Sequence, residues 1–262
     1  MALVYSTAAE NFVAQLGSWK ELFDNGMIEI YSGAQPSTTT ADPAPTGNLL
    51  CTFTLSSGAR TAEVQASGTV TLNTGASGSV DTLTVNSFEI MGSSTPFNTS
   101  LTQTAADVAI KCARNPKNKL YTVTSAGAVI TIKAKPGLGA TVNTYVVAST
   151  ATTITKTDVN LASGVTAING LSMDTSVAGT FNKNPNEVWS GVVTGAGTQT
   201  AGWFRFKGAL ADDNTLDSTN VKWLRMDGSI STSGADFNMS STSMVNGVTQ
   251  TLNTFSFQVP AH

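Results

Sequence analysis

Charge is scarce in this chain. Only 12% of its 262 residues are Asp, Glu, Lys or Arg, about half the usual globular share. The net charge is −3 and the pI about 5.1, so no basic surface of the kind that holds nucleic acid is expected. The densest cationic stretch is Lys111, Arg114, Lys117 and Lys119 around Asn115 and Pro116. It has no interleaved aromatic and reads as a solvated helix end and loop. Histidine is nearly absent, the single one being the last residue, His262. That removes any Ser-His pair and the usual zinc sets. Cysteine occurs twice, at Cys51 and Cys112, with no CxxC. The two fall in different modules; a bridge is open to them, but two buried thiols fit better. No apolar run reaches the length of a membrane span. The start, Met1-Ala2-Leu3-Val4-Tyr5, lacks the features of a signal peptide, so synthesis in the cytoplasm is expected.

Catalytic patterns are lacking too. Glu10, Glu21, Glu29, Glu63, Glu89 and Glu187 are scattered singly, and no Gly-x-Ser-x-Gly occurs. Asp212, Asp213 and Asp217 lack the spacing and distal Glu of a calcium loop and read as a solvated acidic loop. No catalytic, cofactor or metal residues are expected, and the chain reads as a non-enzyme.

What is present is Ser, Thr and Gly, 23 of the last, with 40% hydrophobic residues. Thr favours strands; Gly and Ser favour the turns between them. The fold class expected is mainly β. Its organising stretch is Ala201-Gly202-Trp203-Phe204-Arg205-Phe206. Trp203, Arg205 and Lys207 alternate with Gly202, Phe204 and Phe206, which is strand periodicity with the phenylalanines inward. Residues 6–25 read as one helix, capped by Ser6 or Thr7 with Glu10 completing a capping box. Phe12, Leu16, Trp19 and Phe23 share its apolar face, and Gly17 is its weak point.

Strands follow over 27–31 and 49–55, separated by a proline-containing loop. From about Ala62 the texture changes to Thr/Val-rich strands (64–73, 79–91), a short helix (104–114), a hairpin across Ser125-Ala126-Gly127, and one or two strands over 144–155. After an irregular linker over 170–187 come Val188-Trp189, the Trp203 stretch, and a strand over 221–226. Asp227-Gly228 reads as a turn. A final strand over 248–259 carries a change of phase that marks a bulge. The pattern implies a split antiparallel β-sandwich or barrel-like domain with an N-terminal helix, from 1–61 and 165–262. An inserted small α+β module, 62–164, interrupts it. Insertion at a surface turn is tolerated because loop closure costs grow slowly with length.

Two groups of residues carry a resemblance. The first is Gly26 to Gly33, Pro36, and Thr46-Gly47-Asn48-Leu49-Leu50. The second is Ala201 to Phe206, Met226-Asp227-Gly228-Ser229, Ser233 to Asp236, Ser240-Ser241-Thr242 and Phe255 to Pro260. Together they resemble a small structural protein type of tailed-phage virions, in which the two halves are usually contiguous. The 62–164 block is similar to modules appended to phage tail and neck proteins. The resemblance implies a virion component, most simply a capsid decoration or cement protein that binds the major capsid protein and forms homo-oligomers. The alternative is a tail or neck component whose module binds a receptor or glycan. Interface candidates are Phe12, Trp19 and Phe23 on the helix, if that face meets a neighbouring subunit rather than the sheet, and Trp189 and Trp223 beside polar loops.

Overall fold

The computed structural model describes residues 3–37, 39–217 and 223–258. It is mainly β and divides into two compact units, Met1–Ala62 with Ala167–His262, and Glu63–Thr166.

The first unit is built on one large antiparallel sheet. Its strand order is Val4–Tyr5, Arg225–Ser231, Thr198–Lys207, Met27–Ser32, Leu49–Leu55, Trp189–Val192, Thr249–Leu252. Thr198–Lys207 is central and pairs with Met27–Ser32 on one side and Arg225–Ser231 on the other. The sheet stays open, ending on Val4–Tyr5 and Thr249–Leu252, so the sandwich-like form holds and the barrel-like one does not. Ile28, Ile30, Phe53, Phe204, Phe206 and Met226 form its apolar face. That face is covered by Phe12, Leu22 and Phe23 of the N-terminal helices and by Leu171, Met173, Phe255 and Phe257. Burial of this area is the main stabilising term of the unit.

The expected single helix is two, Thr7–Gln15 and Trp19–Phe23. The junction falls at the weak point Gly17, where only glycine fits: a Cβ would lie 2.6 Å from the Phe12 ring and 2.9 Å from Glu21 Oε2. Ser6 caps the first helix by accepting from Ala9 N–H. The capping box lies in the second, where Ser18 and Glu21 cap each other reciprocally. Asp227-Gly228 is no turn; both residues sit inside Arg225–Ser231. The glycine is there for packing, since a Cβ would come within 2.5 Å of the Phe204 ring. The linker contains the strand Thr180–Asn182, which pairs with Ser256–Gln258. The expected closing strand is therefore two, Thr249–Leu252 and Ser256–Gln258, in different sheets. Of the strand expected over 221–226, residues 221 and 222 lie outside the described residues; the strand observed begins at Arg225.

The second unit has two four-stranded sheets, one α-helix, Leu101–Arg114, and a short 3-10 helix, Gly139–Val142. One sheet contains Ser67–Thr74, Val129–Ala134, Tyr121–Ala126 and Thr155–Ala162; the other contains Ser79–Val85, Val147–Thr152, Phe88–Glu89 and Thr95–Pro96. Val70, Leu72, Leu83, Val85, Val108 and Ile130 share its core. The helix begins three residues before the expected start, because Ser100 accepts from Gln103 N–H. Ala126 and Val129 pair directly, so the hairpin turn is Gly127-Ala128. At the outset and return of the excursion, Thr61 pairs with Ile168 in the first unit, and Val64 with Val165 in the second.

Candidate functional site

Alternation on the central strand sets two faces. Phe204 and Phe206 enter the apolar core; Trp203, Arg205 and Lys207 enter a second layer made of charge. Opposite Arg205 stand Asp227 on one neighbour and Glu29 on the other. Arg205 donates from Nε and Nη2 to both Asp227 oxygens, at 2.8 and 2.7 Å. This bidentate geometry is the strongest form of such a pair. Arg225 does the same with Asp212, at 2.6 Å for each bond. Lys207 Nζ donates to Glu29 Oε1 at 2.8 Å.

Two loops cover the layer through their backbone. Pro43 O accepts from Arg205, Asp42 O and Thr215 O from Arg225, and Thr46 O from Trp203 Nε1. Arg205 and Arg225 are fully buried and Lys207 is 1% exposed. Tyr31 stacks on Trp203 with centroids 4.5 Å apart.

Of the expected solvated acidic loop, Asp213 is exposed as expected, and the other two are corrected. Asp212 is consumed by Arg225, and Asp217 is buried and accepts from Trp223 N–H at 3.0 Å. The cause is arithmetic: the strands place three cations on one covered face, and buried cations require carboxylate partners.

Titration follows burial. Tyr31 is pushed well above the usual phenol range by burial and by the adjacent Glu29 carboxylate. Burial lowers the Lys207 ammonium below its ordinary value and raises the Asp227 carboxyl above its own. Glu29 is the hub, since Oε2 also accepts from Tyr31 Oη at 2.6 Å and from Asn214 Nδ2 at 3.0 Å.

The five interface candidates do not come together on a surface. Phe12, Phe23, Trp189 and Trp223 are all buried within the first unit. Trp189 stands edge-on to Phe206 and donates Nε1–H to Glu187 at 2.7 Å. Trp223 lies against the Arg225 guanidinium, 5.7 Å from ring centroid to Cζ. Trp19 is half-buried, its ring 4.5 Å from that of Tyr5. These rings are held by the chain's own fold, so none of the four buried ones presents a face to a partner. Cys51 and Cys112 are free and buried, and burial raises both thiols to about 12. Among the described residues no helix is long and apolar enough to cross a membrane, and no cluster of His, Cys, Asp or Glu is suited to a metal.

The second unit carries an open groove of about 640 Å³ between the helix and residues 91–96. Met91, Pro96 and the exposed Ile110 give it apolar surface, and Asp107, Lys111 and Arg114 give it charge of both signs. Its walls are fixed: Glu89 accepts from the N–H groups of Met91 and Gly92, and Asn115 Nδ2 donates to Ile90 O.

Sequence reasoning missed the charge layer. A signal existed, since Glu29 sits between Ile28 and Ile30 and Arg205 between Phe204 and Phe206. What it could not supply was the lid of loops that turns an outward face into an interior. No protein-family model, curated protein or solved structure matches this chain.

Proposed function

We propose that the chain is a non-enzymatic structural component of a tailed-phage virion, acting as a capsid decoration protein on the major capsid lattice. The sequence resemblance motivates the reading. The observation that carries it is the insertion geometry. The first unit is assembled from segments on either side of the excursion, and each unit pairs its own entry and exit residues, Thr61 with Ile168 and Val64 with Val165. A self-closed framework of this kind can hold a lattice site while carrying a second unit for display. Leu49, Val192, Val245 and Val248, exposed by 40–45%, are among the framework's exposed apolar residues, with Ile168, Val177, Val188 and Leu216 more exposed still, and such residues are offered for these contacts. Many modest interfaces multiplied by symmetry then restrain the shell.

A second reading, a tail or neck component whose module binds a receptor or glycan, is favoured by the groove beside Lys111 and Arg114. Quantitative mass spectrometry of purified particles separates the two. Hundreds of copies per particle, on the order expected of a lattice-binding protein, support decoration. A dozen or fewer, on the order of one tail ring, support the tail reading and contradict the first.

A further inference from the structure

Glu29, Lys207 and Asn214 form a closed constellation inside the charge layer. One carboxylate bridges two nitrogen atoms: Oε1 accepts from Lys207 Nζ at 2.8 Å and Oε2 from Asn214 Nδ2 at 3.0 Å. The amine of a lysine and the carboxamide of an asparagine are thereby held on either side of a single acid. Lys207 is 1% and Glu29 5% exposed, and Asn214 is half-buried. The Tyr31 hydroxyl stands beside the same amide, 3.1 Å from Nδ2. Asn214 Oδ1 is buried with no hydrogen-bond partner among the described residues. The two ends of a carboxamide have the same shape. Turning the group over puts Oδ1 opposite Glu29 Oε2 and the Tyr31 hydroxyl, two groups that polarise a carbonyl when they carry protons.

We propose that Lys207 and Asn214 are joined by an intramolecular isopeptide bond formed autocatalytically with Glu29 as the acid-base residue. Proton transfer from Lys207 to Glu29 leaves a neutral amine, the form burial favours for Lys207, and a neutral acid. The Nζ lone pair attacks Asn214 Cγ, and the carbonyl oxygen takes up charge facing Glu29 and Tyr31. As the tetrahedral centre collapses, the Cγ–Nδ2 bond breaks. Glu29 passes a proton to Nδ2 and takes one from Nζ, and ammonia leaves. The balance is amine plus carboxamide giving a secondary amide plus one ammonia; no oxidant or cofactor takes part. Burial lowers the Lys207 ammonium, which works in the same direction. The bond closes the 208–213 loop covalently onto the sheet and replaces a buried ion pair with a neutral link. It does not depend on the virion reading.

The test is the intact mass of the purified full chain under denaturing conditions, with peptide mapping. The expected result is a chain one ammonia lighter than its sequence. Trypsin fails to cut after Lys207, and tandem spectra place the link between Lys207 and Asn214. Glu29→Gln and Lys207→Arg variants retain their full sequence masses. A wild-type chain at full sequence mass overturns the proposal. So does an ammonia loss mapping to a succinimide at Asn25, Asn169 or Asn246, each followed by glycine, with tryptic cleavage at Lys207 intact. The wild-type measurement decides by itself, so a variant that fails to fold does not shield the proposal.

Discussion

Single residues in the charge layer differ sharply in what they risk. Arg205 is fully buried, and Asp227 answers two of its donors. Asp227→Ala leaves a guanidinium in the interior without its carboxylate. The expected destabilisation is about 3–5 kcal/mol, the usual cost of breaking a buried pair by removing one partner, measured by urea unfolding. Tyr31 gives a pH signature. Its phenol is raised above the ordinary 10.0 by burial first and Glu29 second, so the folded state holds this proton more tightly than the unfolded chain. The resulting stability is fully present below pH 10.0 and is lost as pH rises through the folded value. Melting temperatures taken from pH 8 upward should fall past pH 10.0, and Tyr31→Phe should flatten that limb. An unchanged slope would remove Tyr31 from the account.

Among elements, legibility followed local chemistry. Met27–Ser32, Leu49–Leu55 and Thr198–Lys207 are visible in the sequence because one face of each is apolar and period two is hard to mistake. The helix break at Gly17 was marked by composition; that only glycine fits there, with the Phe12 ring where a Cβ would stand, was not legible. Gly228 misled: Asp-Gly reads as a turn, while the structure uses the glycine to admit the Phe204 ring inside a strand. Gly228→Ala should therefore destabilise by about 1–3 kcal/mol through overpacking, with no gain from turn chemistry. Thermal unfolding measures it, and a stabilised variant would contradict the packing argument. The charge layer was half legible. Alternation placed Arg205 and Lys207 on one face; nothing local announced that Glu29 would stand opposite them or that backbone carbonyls of Asp42, Pro43 and Thr215 would close over the layer.

For the whole molecule, chain order and spatial order diverge. Strands separated by well over a hundred residues, such as Met27–Ser32 and Thr198–Lys207, are direct neighbours in one sheet. The entry and exit of the intervening excursion are paired. Loop closure over that span adds only slowly growing entropy, so excising the excursion removes little that the framework itself uses. The five aromatic residues considered for interfaces were ambiguous in sequence because a large apolar ring suits a core as well as a contact. Four of them are core. The framework is therefore expected to stand alone. The most direct measurement is thermal unfolding and virion binding of a chain with residues 63–166 replaced by a short turn. A single cooperative transition with retained binding is predicted. An unfolded chain, or a folded one that no longer binds, would contradict the proposal that the framework binds the virion.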